Sequence, residues 1–125
     1  MIEILLVEDI PLISEMIRER LELIGYQISC AQSGESALEQ APLQQPDVIL
    51  MDISLPGMDG WEVTERLKAN PATREIPVIA LTAHAMVEAR ERSLTAGCAD
   101  FETKPINFTR LAEKIDGWVK SGGLN

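Results

Sequence analysis

The sequence predicts an α/β domain in which a parallel sheet lies between two layers of helices. Three observations carry this. Short apolar runs recur at Ile2 to Val7 (broken only by Glu3), Val48 to Met51 and Val78 to Leu81. Uninterrupted runs of this length read as strands buried on both faces, which is the habit of parallel sheets. Segments with apolar residues at three- and four-residue spacings separate them, and this strand–helix alternation is the signature of βαβ units. The chain of 125 residues is 46% apolar and 25% charged, which fits one soluble domain.

Taken in order, the first strand ends at Glu8-Asp9, and Pro11 opens a helix. Leu12, Ile13, Met16, Ile17, Leu21 and Ile24 form its expected inward stripe, and Gly25 stops it. Tyr26 to Ala31 alternates Tyr26, Ile28 and Cys30 and reads as a strand. A short helix is expected from Ser36 to about Gln40, ended by Ala41-Pro42. The third strand runs into Asp52, and Pro56, Gly57 and Gly60 mark the loop beyond it. Asp59 can cap a helix from Gly60 to about Ala69 that turns Trp61, Val63 and Leu67 inward. After the loop at Asn70 to Arg74, the fourth strand ends at Thr82. A helix from about Met86 to Ala96 stops at Gly97. Asp100 to Thr103 is a short strand followed by Lys104-Pro105, and Asn107 can cap a last helix from Phe108 to Val119. A short flexible tail, 121–125, is expected to follow a domain spanning 1–120. Right-handed crossovers then give five parallel strands in the flavodoxin-like order 2-1-3-4-5, flanked by five helices.

Composition narrows the function. Eleven basic against twenty acidic residues leave a net charge of −9, which argues against nucleic acid as a partner. Nothing approaches the ~18 apolar residues of a membrane span, and no basic, apolar leader precedes Ile4, so the cytoplasm is the expected location. Cys30 and Cys98 lack metal-ligand spacing and read as reduced, packed thiols.

In sheets of this kind, ligands and chemistry gather beyond the carboxyl ends of the strands. Strand 1 delivers Glu8 and Asp9 there, strand 3 Asp52, strand 4 Thr82 and strand 5 Lys104. Singly these are weak signals: Asp52 reads equally well as the start of a turn, Thr82 as a helix cap and Lys104 as a surface lysine. Together they are specific. Three carboxylates on neighbouring strand ends repel unless a cation joins them, and oxygen ligands of this kind suit Mg²⁺. A hydroxyl and an ammonium opposite are suited to phosphoryl oxygens. A carboxylate can itself be the nucleophile, as in aspartyl-phosphate chemistry.

Over nearly its whole length the chain resembles the receiver domains of bacterial response regulators, of the chemotaxis-regulator, single-domain type. The residues that carry the likeness are Glu8-Asp9, Met51 to Gly60, Ala80-Leu81-Thr82-Ala83, Ala96-Gly97 and Lys104-Pro105. The resemblance implies that Asp52 accepts a phosphoryl group from the phosphohistidine of a histidine kinase, a hybrid kinase or a phosphotransfer protein. It implies that Asp9 and Asp52 ligate Mg²⁺, with the Ser54 backbone carbonyl as a third ligand and Glu8 acting through water. It further implies that Thr82 and Lys104 hold phosphoryl oxygens, that the Lys104–Pro105 bond is cis, and that Phe101 is the aromatic switch residue. Thr82 would move towards the phosphoryl group and Phe101 would turn inward. That would change the surface of helix 4, strand 5 and helix 5 for a downstream protein, or the phosphoryl group would pass onward in a relay. Ser54 and His84 fall where the family tunes phosphoryl lifetime. Such a protein catalyses only its own phosphorylation and dephosphorylation.

Other readings fit less well. A flavodoxin would offer Thr, Ser and Gly to the FMN phosphate after strand 1, where this chain has Glu8-Asp9-Ile10-Pro11. A haloacid-dehalogenase phosphatase needs a second acid two residues past its nucleophile, where Ser54 stands here. No Gly-rich Lys-Ser/Thr loop is present. A phosphorylation-independent adaptor or a receiver module of a hybrid kinase remains as the alternative. With nothing expected beyond the last helix but a short tail, a stand-alone receiver is the favoured expectation. His84 reads first as a loop histidine, Trp61 and Trp118 as core or half-buried residues, and Met86, Val87 and Leu94 as core rather than partner-facing.

Overall fold

The computed structural model describes residues 1–83 and 87–123, with side chains to residue 120. Five strands, β1 (Glu3–Val7), β2 (Gln27–Ala31), β3 (Val48–Asp52), β4 (Val78–Thr82) and β5 (Asp100–Thr103), alternate with five helices. These are α1 (Pro11–Ile24), α2 (Gly34–Gln44), α3 (Gly60–Ala69), α4 (Val87–Ala96) and α5 (Phe108–Gly123). All strand pairings are parallel and the order is β2-β1-β3-β4-β5, as expected from the alternation.

Successive residues of a strand face opposite sides, so each apolar run supplies two cores at once. Ile4, Leu6, Val48, Leu50, Ile79 and Leu81 pack with Ile17 and Leu21 of α1 and Leu111 and Ile115 of α5. Leu5, Val7, Ile49, Met51, Val78 and Ala80 pack with Ala37 and Ala41 of α2 and Val63 and Leu67 of α3. Every residue of β3 and β4 is buried. That sandwiching is why these runs lack polar alternation.

Capping sets several boundaries. Ser33 and Asp59 accept hydrogen bonds from the amides of Ser36 and Glu62, and Asn107 accepts from the amide of Arg110. Gly25, at φ 114°, closes α1 in a conformation that side chains resist.

Four expectations need correction. Helix α2 continues past Pro42 to Gln44: a proline this near a helix end removes one late hydrogen bond. Gln45 holds the extra turn, its amide on Ala41 O and its side chain on Pro42 O and Ala72 O. Only part of the α1 stripe faces inward. Ile17 and Leu21 are buried, whereas Leu12 is 81% and Met16 52% exposed. Val87 and Leu94 are exposed rather than core. Helix α5 runs to Gly123 rather than Val119, since a helical glycine costs only about 1 kcal/mol and does not forbid a turn. His84 and Met86 lie outside the described residues.

Candidate phosphoryl and metal site

The register places the candidate residues. Val7 pairs with Met51 and Asp52 with Leu81, so the residues after β1 and at the ends of β3 and β4 share one level. Thr82 pairs with Thr103, and the Lys104 amide continues the ladder to Thr82 O at 2.8 Å. Carboxylate oxygens of Glu8, Asp9 and Asp52 lie within 4.8 Å of one another. Glu8 and Asp52 are buried, at 0% and 3% exposure, and Asp9 is half-buried. Lys104 Nζ stands 3.5 Å from both Glu8 Oε1 and Asp52 Oδ1. Thr82 is buried beside them at the end of β4.

The acids differ in support. Asp52 Oδ1 accepts the Ser54 amide at 3.0 Å, which fixes the rotamer of the carboxylate. Glu8 Oε2 accepts the Ile10 amide at 3.2 Å, but Oε1 is buried with no hydrogen-bond partner. Burial pushes the Glu8 carboxyl up to about 7; the neighbouring Asp52 adds to this, and the Ile10 amide and Lys104 oppose it. A buried carboxylate oxygen with a lysine at 3.5 Å but no hydrogen bond costs free energy that a bound cation would offset. Fully ionised, the three acids carry −3 against the single positive charge of Lys104. The remainder of −2 matches one divalent cation, and an all-oxygen donor set matches Mg²⁺. The residues fit the ion.

Sequence reasoning picked out Glu8, Asp9, Asp52, Thr82 and Lys104, and the fold brings all five together. Ser54 enters through its amide. The Lys104–Pro105 bond is cis. Phe101 lies apart from the cluster, half-buried on β5, with Arg90 of α4 and Lys114 of α5 at 5.7 and 5.6 Å from its ring centre.

In the sequence Gly60 reads as a loop marker and the start of α3, without a role in packing against Asp52. Its amide donates to Ile53 O at 3.1 Å, and a Cβ on it would overlap the Asp52 carbonyl oxygen and lie 2.8 Å from Ile53 Cα. Helix α3 thus begins in direct contact with the backbone of the central aspartate. The spacing Asp52-x₇-Gly60 was visible, but only the packing gives it meaning.

Residues 4–116 match the family profile of the response regulator receiver domain. The polar-differentiation response regulator DivK of Brucella ovis is 41% identical over 116 residues, covering 93% of this chain and 94% of that protein. Among solved structures, the receiver domain of sensor histidine kinase PA1611 from Pseudomonas aeruginosa, with a magnesium ion coordinated in its active-site cleft, superposes with a TM-score of 0.87. It is 38% identical, covering 94% of this chain and 97% of that one. The chemotaxis protein CheY4 of Vibrio cholerae gives 0.86 at 27% identity, covering 93% and 97%. Among the described residues, no helix is long and apolar enough to cross a membrane.

Proposed function

Because the chain belongs to the response regulator receiver family, we propose that it is a cytoplasmic phosphorylation switch whose acceptor is Asp52. The observation that carries this is the cluster of three carboxylates at the strand ends, two of them buried and sharing one lysine, with a glutamate oxygen that has no hydrogen-bond partner.

In this reading, an Asp52 carboxylate oxygen attacks the phosphorus of a phosphohistidine. The P–N bond breaks, the P–O bond forms, and the imidazole leaves with the electron pair and takes up a proton. Asp9, Asp52 and the Ser54 carbonyl would hold Mg²⁺, with Glu8 acting through water. The ion supplies the charge neutralisation that lets phosphoryl oxygens approach three acids. Lys104, already within 3.5 Å of Asp52, exchanges one carboxylate contact for a phosphoryl oxygen. Thr82 donates its hydroxyl to another. A charge-assisted hydrogen bond is worth about 1.5–3 kcal/mol. Two of them approach the roughly 5.5 kcal/mol that moves a two-state element from 1:99 to 99:1. Inward rotation of Phe101 would carry that change to the surface of α4, β5 and α5.

The surface favours a protein as donor. Ile10, Leu12 and Met16 are exposed on the α1 side of the site. Met16 also lines a cavity of about 320 Å³ together with Ile13, Ile17, Lys104, Pro105, Ile106 and Phe108. A small phosphate ester would leave this apolar rim in water; a helical partner would cover it. A stand-alone regulator agrees with relatives such as DivK that the chain nearly covers. The kinase receiver domains among its neighbours make a hybrid-kinase module the second reading.

Acetyl phosphate with Mg²⁺ should phosphorylate the wild type, and the acyl phosphate should be lost on hydroxylamine treatment. Asp52→Asn should take up none. Absence of incorporation in the wild type would overturn the reading, and persistence in Asp52→Asn would overturn the assignment to Asp52.

A further inference from the structure

Helix α4 is held unusually lightly. Its buried residues, Ala89, Ser93 and Ala96, are all small, and among the described residues none of α4 belongs to either core cluster. Val87 and Leu94 are 67% and 49% exposed. Apolar burial therefore does little to fix its position.

Among the described residues, its side-chain hydrogen bond to another element comes from α3. Trp61 Nε1 donates to Ser93 Oγ at 2.9 Å, and Ser93 Oγ donates to Ala89 O at 2.9 Å. One buried hydroxyl thus has both its roles satisfied, by two different helices. The Arg92 guanidinium lies 5.3 Å from the Trp61 ring centre and pairs with Glu65 at 3.4 Å. The indole is a rigid strut with two side-chain torsions, not a flexible tether.

The other end of this strut is the acceptor loop. Trp61 follows Gly60, which is packed without slack against the backbone of Asp52 and Ile53. A shift of the backbone of Asp52 and Ile53 presses directly on the first turn of α3, because Gly60 leaves no room for even a methyl group between them.

We propose that the first turn of α3 is a lever: Gly60 senses the backbone of Asp52, and Trp61, gripping Ser93, passes its movement to α4. The lever rests on the acceptor reading of Asp52. It is a second route to α4, separate from Thr82 and Phe101, and it makes Trp61 and Ser93 positioning residues.

The test uses the full chain with Mg²⁺ and beryllofluoride, a phosphoryl stand-in, followed by amide NMR shifts. The wild type should show ligand-induced shifts in both α4 and β5. Ser93→Ala removes the grip without adding bulk, and Trp61→Phe removes the donor while keeping a ring. Each should bind beryllofluoride within about twofold of wild type, keep the β5 response and lose at least about half of the α4 response; the double variant should lose no more than either alone. Unchanged α4 shifts in Ser93→Ala would overturn the lever. So would equal losses in α4 and β5, which would mean general loosening. If the wild type binds no beryllofluoride, the acceptor reading itself falls and the lever falls with it.

Discussion

Glu8 and Glu102 are both buried glutamates of this sheet, 0% and 1% exposed, and they are treated in opposite ways. Glu102, inside β5, accepts Arg110 Nε at 3.0 Å on each oxygen and Lys114 Nζ at 2.9 Å. Burial pushes its carboxyl up, but the hydrogen bonds from Arg110 and Lys114 outweigh this and hold it below the usual range. Glu8, just past β1, has one amide, a lysine shared with Asp52 and an oxygen without a hydrogen bond. Its carboxyl is pushed up to about 7, chiefly by burial. The contrast separates two uses of a buried acid. One is saturated and fastens α5 to the edge of the sheet. The other is kept hungry at the reacting end.

Stripping Glu102 of its partners should break that contrast most severely. Arg110→Ala with Lys114→Ala leaves a buried acid without its partners and should cost about 3 kcal/mol, at the low end for such sites because both cations are partly solvated. Urea unfolding at neutral pH measures it. Adding Glu102→Gln should restore part of the loss, and a cost below about 0.5 kcal/mol would show that the network is ornamental.

The two acids should also give stability curves of opposite slope. The folded-state value of Glu8 is raised from 4.5 to about 7, so between these values the folded chain binds more protons than the unfolded one. Metal-free protein should therefore lose stability as pH rises through this window. Glu8→Gln should flatten that limb and gain roughly 1–3 kcal/mol at pH 8 without metal, while binding Mg²⁺ more weakly than wild type. Glu102, held low, contributes stability that is present above 4.5 and lost as pH falls below it, so Glu102→Gln should flatten the acid limb instead. Thermal melts across pH, with and without Mg²⁺, read both.

The smallest stability change probes the rim of the hungry site. Met16→Glu, at an exposed position, should leave stability within about 0.5 kcal/mol. Phosphorylation by acetyl phosphate should persist while transfer from a phosphohistidine protein falls. Equal loss from both donors would remove the apolar rim from the docking argument.

The sheet, its order and the convergence of Glu8, Asp9, Asp52, Thr82 and Lys104 could be read in advance because buried parallel strands are continuous apolar runs with polar ends. What escaped was whatever depends on facing. The α1 stripe was read too wide because the sheet admits only a narrow face of that helix, leaving Leu12 and Met16 outside. Pro42 was given too much authority, since a terminal turn can be held by a glutamine reaching another loop. The grip of Trp61 on Ser93 spans 32 residues, and the clamp of Arg110 and Lys114 on Glu102 joins a helix to a strand. No local pattern announces such pairs.

The strand order carries one more consequence, for how copies of this chain meet one another. β2 and β5 are the sheet's borders, and a border strand can template strand addition from another copy. Here the β5 border is only four residues long, and Gln27 and Ser29 on the β2 border are exposed and polar. A net charge of −9 adds repulsion before any two borders meet. Resistance to edge-to-edge pairing is thus a matter of the two border strands and the net charge, not of the core.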